Sequence, residues 1–425
     1  MPERRLITGL DVGTSKVCAI IAEAHPSGQL DVLGFGASPS HGLRKGMVVD
    51  LERTSEAIGE AVAQAERMAG AEVHQVFLGI AGGHIASLNS HGVVAVSRPD
   101  WEITQSDVGR AVEAARAVAL PGDRQVIHVL PREFVVDGCR GIRDPVGMSG
   151  VRLEVYVHIV TGAVTALRNM VKCVERTGLQ VADMILQPLA SAEAVLAPEE
   201  RYGSCVLVDI GAGTTDVAVF HEGSIWHTAV LAVGGNHVTS DLSYGLRLPW
   251  AEAERLKINH GRPPVLPGLE AAGQAAAAAY PGSGSGPAAW LAGAAEGSPG
   301  TLDPAFIIRA RLEEILQLVA DEVKRVPHPT FVPAGAVVTG GSSQLGGLLE
   351  VGRRVLGLPM RIGMPERLGG LPDFVANPAY ATGVGLALYG RRINAGAPAA
   401  PRRGDRLKTG LVGLIRRWFG EFFAE

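Results

Sequence analysis

The sequence predicts an α/β protein of two related lobes, with a small αβ subdomain inserted in the first lobe and an amphipathic helix carried on a C-terminal linker. Three observations predict it. A hairpin signature occurs twice, as Leu6-Ile7-Thr8-Gly9-Leu10-Asp11-Val12-Gly13-Thr14-Ser15-Lys16-Val17 and as Val206-Leu207-Val208-Asp209-Ile210-Gly211-Ala212-Gly213-Thr214-Thr215-Asp216-Val217. Between 84 and 162 the texture changes to short strands around one helix. The last residues carry apolar side chains at helical spacing behind a stretch rich in Pro, Ala and Arg.

Each hairpin reads as a buried strand ending in Asp, a turn of Gly and hydroxyl residues, and a second apolar strand. Val32 to Gly36 continues the first hairpin as a third antiparallel strand. Leu51, Ile58, Val62, Ala65 and Met68 define a helix from Leu51 to Ala69, and Val76 to Ile80 returns as a strand. The opening is therefore β-β-β-α-β, a mixed sheet, and with its continuation the first lobe core spans 1–83 and 163–200. The insert, 84–162, holds strands at Val93–Val96, Val126–Leu130 and Leu153–Val160 and a helix from Ser106 to Ala119 that Pro121-Gly122 ends. A helix from Val164 to Thr177 follows, and Ile185 to Leu189 leads into another.

The second lobe core takes 201–240 and 335–390, with an outer subdomain at 241–334. Gly234-Gly235-Asn236 caps a helix from His237 to Tyr244, and Pro249 starts another through His260. Residues 262–304, rich in Ala, Gly, Pro and Ser, read as a flexible insertion. A long helix spans Ile307 to Val326, Ala336 to Ser343 is strand, glycine turn and helix start, and Asn377-Pro378 opens a helix through Tyr389. The linker is 391–408 and the amphipathic helix 409–425.

The chain has 425 residues, 47% of them hydrophobic and 19% charged, which is ordinary for a folded protein. A formal charge of −4 predicts no nucleic-acid partner. Cys18, Cys139, Cys173 and Cys205 show no C-x-x-C spacing, which argues against zinc or a disulfide framework and fits a reducing cytosol. The N-terminus shows no signal peptide, and no apolar run reaches the ~20 residues needed to span a bilayer.

A phosphate group needs backbone N–H donors that side chains leave accessible. The turns Gly13-Thr14-Ser15 and Gly211-Ala212-Gly213-Thr214-Thr215 supply them, with hydroxyls as further donors, and Lys16 adds positive charge. Asp11 and Asp209, at strand ends facing one cleft, are candidates to hold Mg2+ through water. Gly340-Gly341-Ser342 forms a third glycine turn where a ribose or α-phosphate can rest. The expected ligand is a polyphosphate held from both sides.

The order of these segments resembles the actin/heat-shock-chaperone/sugar-kinase superfamily and, over nearly the whole chain, the FtsA family of bacterial cell-division proteins. Besides the first hairpin, the resemblance rests on Asp144-Pro145-Val146-Gly147-Met148-Ser149-Gly150, His158-Ile159-Val160-Thr161-Gly162, Gly234-Gly235-Asn236-His237-Val238-Thr239, Ala253-Glu254-Arg255-Leu256-Lys257 and Val338-Thr339-Gly340-Gly341-Ser342. It implies an actin-like two-lobed ATPase fold that binds ATP with Mg2+, with Gly235 at the nucleotide and Glu254 and Lys257 flanking the adenosine. It also makes Gln187 the connector glutamine near the γ-phosphate. Asp11, Asp209 and Gln187 are then the residues expected at any hydrolysis. That hydrolysis is expected to be slow at most, because a neutral amide positions water but does not deprotonate it. The resemblance further implies a filament of the protein itself, an insert that meets later division proteins, and Arg311 as a contact for the FtsZ C-terminal tail.

In the tail, Leu411, Leu414, Ile415, Trp418, Phe419, Phe422 and Phe423 fall on one helical stripe, with Arg416 and Arg417 off it. From Arg391 onward eight basic residues face three acidic ones, about +5, which leaves about −9 on the rest. Such a helix is too short to span a bilayer and suits an anionic interface. The expected location is the cytoplasmic face of the cell membrane at the division site, held peripherally. Two other readings stay open: a sugar-kinase-type phosphotransferase, for which Asp241 and Asp183 are the nearby acids, and a pilus-assembly actin-like ATPase.

Overall fold

Equivalent hairpins generate equivalent sheets. The computed structural model describes residues 5–25, 27, 29–260, 303–326, 333–365, 368–370 and 373–395. In the first lobe β1 (Leu6–Val12), β2 (Lys16–Ala24) and β3 (Leu30–Pro39) form an antiparallel meander. A two-strand turn, β4 (Leu43–Arg44) with β5 (Met47–Val48), precedes α1 (Leu51–Ala69). Then β6 (Gln75–Ile80) lies parallel to β1.

Local chemistry sets α1 where the periodicity places it. The Asp50 carboxylate accepts the backbone N–H of Glu52 and of Arg53, both at 3.1 Å, and Gly70 closes the helix in the left-handed region. Its buried face, Ala57, Ile58, Ala61, Val62 and Ala65, lies on β2 and β3.

The insert follows as β7 (Ile85–Ala95), α2 (Gln105–Arg116), β8 (Arg124–Val136), β9 (Cys139–Ile142) and β10 (Arg152–Ala163). Its sheet runs β7-β10-β8-β9 and covers α2. Three of these strands are much longer than the short apolar runs expected from the sequence. Ser87, Asn89, His91, Arg132 and His158 interrupt the hydrophobic pattern without ending the strands. Helix α2 also ends at Arg116, short of the expected Ala119, and starts one residue early because Thr104 and Asp107 cap it.

The chain returns to the first lobe through α3 (Val164–Arg176) and β11 (Gln180–Leu186), which lies parallel to β6. The first sheet is thus β11-β6-β1-β2-β3. After α4 (Gln187–Val195) and α5 (Pro198–Tyr202), the second lobe repeats the plan. β12 (Ser204–Ile210), β13 (Thr215–His221) and β14 (Ser224–Leu231) form the meander. α6 (Gly235–Leu246), α7 (Trp250–His260) and α8 (Pro304–Val323) form the outer layer. β15 (Gly335–Thr339) and β16 (Met360–Ile362) then extend the sheet in parallel, giving β16-β15-β12-β13-β14, with α9 (Leu348–Leu356) between them. α10 (Ala381–Ala395) ends the described chain.

Two expected boundaries move. Asp303 caps α8 by accepting the Ala305 N–H at 3.0 Å, so the helix begins at Pro304, inside the segment expected to be a flexible insertion, and ends at Val323 rather than Val326. Helix α10 runs through Ala395, into the expected linker. The rest of that insertion and linker, and the amphipathic helix, lie outside the described residues.

The two connector helices exchange lobes. α4 follows the first sheet yet packs on β12 and β13, whereas α10 follows the second sheet and packs on β1, β2 and β6. They cross each other so tightly that a Cβ at Gly385 would collide with the carbonyl of Ala190. One buried cluster therefore draws on both lobes, including Ile20, Leu186, Leu189, Leu207, Ala218, Val384 and Leu388.

His128 of β8 joins the insert to this crossing, its Nε2 accepting the Leu186 N–H at 3.0 Å just before α4 begins. Burial pushes its imidazole from 6.5 down to about 4, so the neutral ring is the native form. The unfolded chain takes up that proton near pH 6.5 and the native chain only near 4, so stability is full above this window and falls through it. The loss attributable to His128 is on the order of 3 kcal/mol. Urea midpoints compared above and below the window should show it in the wild type, and His128→Gln, which keeps an acceptor, should flatten that part of the decline.

Candidate functional site

Both acidic strand ends arrive at one place because the hairpin registers are the same. Asp11 pairs with Cys18 across its hairpin and lies beside Gly79 of β6, while Asp209 pairs with Asp216 and lies beside Thr339 of β15. The turns are also the same: Gly13 N donates to Lys16 O, and Gly211 N to Thr214 O, each at 2.9 Å. They meet tip to tip. A Cβ on Gly213 would stand 2.5 Å from Thr14 Oγ1, so only glycine admits this approach. Thr14 Oγ1 also accepts the Gly46 N–H at 3.3 Å, and Ser15 is exposed at the turn.

The floor is acidic and dry. Asp11 and Asp209 are each 7% exposed and Asp216 is 3% exposed. Burial, opposed by Lys16 and reinforced by Asp209, pushes the Asp11 carboxyl up to about 7. Burial also raises Asp209, against hydrogen bonds from Ser191 and Thr382 and the charge of Lys16. Asp216 is raised well above the carboxylate range by burial and by Asp209. Its Oδ2 accepts from Thr214 Oγ1 at 3.2 Å, while its buried Oδ1 has no partner.

Helix α4 ties the two acids together. Gln187 Nε2 donates to Asp11 Oδ1 at 2.8 Å, and one turn later Ser191 Oγ donates to Asp209 Oδ2 at 2.7 Å. Thr382 Oγ1 of α10 lies 3.2 Å from the same oxygen. Lys16 reaches the other way. Its Nζ donates to the carbonyl of Ala379 and sits 3.7 Å from the ring centroid of Tyr380.

The far wall comes from α6, α7 and the third glycine turn. Ser342 Oγ donates to Gly211 O at 3.1 Å, and Gly235 N donates to the same carbonyl at 2.9 Å. Lys257 Nζ, buried, donates to Glu254 Oε2 at 2.7 Å, to Thr239 Oγ1 at 3.0 Å and to Gly235 O at 3.4 Å. Thr215 Oγ1 is committed to Val233 O at 2.9 Å. Gly340 holds φ at +85°, where a Cβ would collide with Asp209 Oδ1, and Gly341 is exposed at the turn.

All the residues singled out for the cleft therefore converge. Sequence reasoning missed Ser191, Thr382 and Asp216. Ser191 carries a usable signal, its place one helical turn after Gln187, and Asp216 has one in its hairpin partner Asp209. Arg311 stands on α8 in the outer layer instead. Its Nε and Nη2 hold the two oxygens of Asp241 at 2.6 and 2.9 Å, and its Nη1 holds Glu314 at 2.7 Å. The tail residues from Leu411 to Phe423 lie outside the described residues, and among those described no helix is long and apolar enough to cross a membrane.

Comparison with known proteins follows the same division of the chain. A family model described as "SHS2 domain inserted in FTSA" matches residues 82–161, and one described as "Cell division protein FtsA" matches 206–385. The chain is 42% identical to the cell division protein FtsA of Pseudomonas aeruginosa, over 97% of both chains. It is 40% identical to that of Neisseria meningitidis over 99% of both, and 37% identical to that of Escherichia coli over 98% of this chain and 97% of that one. Among solved structures, the PilM–PilN type IV pilus biogenesis complex matches with a TM-score of 0.63 at 18% identity, over 92% of this chain and 99% of that one. MreB5 of Spiroplasma citri bound to AMPPNP matches with a TM-score of 0.50 at 15% identity, over 90% and 95%. These two likenesses establish an actin-like fold.

The glycine at 340 gives the site its sharpest steric test. Gly340→Ala should lower stability by about 1–3 kcal/mol, because it combines a left-handed backbone with a collision at Asp209. Thermal unfolding would show this as a lowered midpoint, whereas Gly347→Ala, at a comparable φ of +79° with open space around it, should cost less.

Proposed function

The chain belongs to the FtsA family of cell-division proteins, and we propose from that footing that it binds Mg-ATP in the cleft, polymerises on the cytoplasmic membrane and tethers the FtsZ ring. One observation carries the nucleotide reading: two glycine turns of the same geometry meet at Thr14 and Gly213 above a buried pair of aspartates. Turns with free N–H groups suit phosphate oxygens, and a floor of like-charged carboxylates suits a cation.

Magnesium fits these residues. Asp11 and Asp209 supply hard oxygen ligands of the kind that hold Mg2+ through its water shell, and the partnerless Oδ1 of Asp216 leaves one further acceptor at the same floor. Held by Asp11 and Asp209 through water, such an ion would supply positive charge against the phosphate groups. Gln187 then stands where it can orient a water, and its amide, already donating to Asp11, cannot take a proton. Any turnover on this reading is slow at most, and the nucleotide acts by setting the shape of a scaffold. Lys257, held by Glu254 and Thr239, frames the adenosine side with Gly235, Gly340 and Ser342.

The kinase alternative needs a carboxylate free over a substrate hydroxyl. Asp241 is engaged by both prongs of Arg311, and Asp183 accepts the Met184 N–H at 2.8 Å within β11. The pilus reading rests on fold alone at 18% identity, against 42% to a division protein. For the FtsZ tail the proposal keeps Arg311, whose paired side chain is 22% exposed on α8, and it gives later division proteins the insert. Membrane attachment is assigned to the stripe Leu411, Leu414, Ile415, Trp418, Phe419, Phe422 and Phe423 with Arg416 and Arg417.

Calorimetry with magnesium present should show ATP uptake, and Asp209→Ala should weaken it at least about a hundredfold, roughly 2.7 kcal/mol. Undiminished uptake by that variant would refute the site. Electron microscopy on anionic lipid with Mg-ATP should show ordered filaments lying on the bilayer. Removal of Leu411 to Glu425 should abolish sedimentation with anionic vesicles while leaving ATP uptake intact.

A further inference from the structure

Ser191 has a use that packing does not explain. It is fully buried in the middle of α4, where a serine is neither a strong helix former nor an apolar filler. A mid-helix serine ordinarily returns its proton to the carbonyl four residues back. Here the hydroxyl points at the carboxylate of another lobe, 2.7 Å from Asp209 Oδ2. Thr382 Oγ1 of α10 lies 3.0 Å from Ser191 Oγ. Each hydroxyl has one proton, so the shortest arrangement has Thr382 donating to Ser191 and Ser191 donating to Asp209.

Gln187 stands four residues earlier on the same helix and donates to Asp11 at 2.8 Å. Residues at this spacing share a helix face, so one rigid element presents a donor to each acid. We infer that Ser191 is a positioning residue for the cation of the bound nucleotide: with Gln187 it makes α4 a bar that sets the separation and orientation of Asp11 and Asp209, and Thr382 locks it from the second connector. The inference rests on the Mg-ATP reading proposed above. Holding Oδ2 with the Ser191 hydroxyl leaves Oδ1 against the bare α-carbon of Gly340. The role is indirect, since Ser191 acts through Asp209.

Magnesium titrations of the full-length protein at fixed ATP, followed by fluorescence of an N-methylanthraniloyl-ATP probe, separate this from mere packing. Ser191→Ala should raise the magnesium concentration for half-saturation about tenfold or more, as loss of a hydrogen bond to a charged group predicts. Its affinity for the probe in EDTA should stay within about twofold of wild type. Thr382→Val should give a smaller shift in the same direction, and Thr382→Ser, which keeps the hydroxyl, should restore the wild-type titration. An unchanged magnesium midpoint in Ser191→Ala, or an equal loss with and without magnesium, would overturn the role. If Ser191→Ala does not fold, the comparison of Thr382→Val with Thr382→Ser decides by the same criterion. Absence of probe binding by the wild type would instead remove the nucleotide reading itself.

Discussion

Two aspartates of like charge are buried at the ends of equivalent strands, and one helix holds both. That constraint organises the molecule. An unpaired carboxylate removed from water is costly, so each must be given donors or a counter-charge. Asp11 receives Gln187 and the field of Lys16, and Asp209 receives the Ser191 proton, with Thr382 behind that hydroxyl. The donors come from the connectors rather than from the sheets that carry the acids. The crossing of α4 and α10 is thus an electrostatic requirement of the floor as much as a packing solution.

Each sheet also lends its outer strand to the other lobe. At β3, the Val32 N–H donates to Gly369 O at 2.7 Å, and Tyr380 stands edge-on to Phe35 with ring centroids 5.0 Å apart. At β14, His158 Nε2 of the insert lies 2.8 Å from Thr228 Oγ1, and Ser87 Oγ donates to Thr228 O at 2.9 Å. Burial, with His227 and Arg132 nearby, pushes His158 down to about 3, so its neutral ring serves as a hydrogen-bonding bridge and not as a charge. The insert is therefore attached to both lobes: it leaves the first through β7 and β10 and rests on the meander that carries the second glycine turn.

This arrangement explains which parts were legible in the sequence. The hairpins, α1 and the glycine turns are local: strand, turn and cap residues lie within a few positions, and the observed elements fall where the periodicity puts them. Strands β7 and β8 of the insert were read too short because Ser87 and Arg132 are polar for the sake of a surface on β14, distant in sequence. Ser191 was passed over for the same reason, since its partners lie 18 and 191 positions away. Arg311 was singled out as a contact for a partner's tail, and its engagement with Asp241 escaped the sequence because it depends on α6 and α8 lying side by side. A one-dimensional pattern carries the burial of an element but not the identity of the neighbour that buries it.

The same floor bears on what the cleft suits. Asp11 is pushed up to about 7 and Asp209 and Asp216 are raised as well, so the cleft gathers acids that resist ionising together. A positive charge beside buried carboxylates favours their ionised forms. Asp11 belongs to the first sheet and Asp209 to the second, and α4 holds both, so one helix links the acids of the two lobes. The outer contacts at β3 and β14 tie each sheet to the opposite lobe as well, so the two sheets are joined at their edges and not only through α4 and α10. A sugar-kinase-type transfer would call on an acid near the cleft, and of the two nearest, Asp241 is held by both prongs of Arg311 while Asp183 accepts the Met184 N–H through one oxygen.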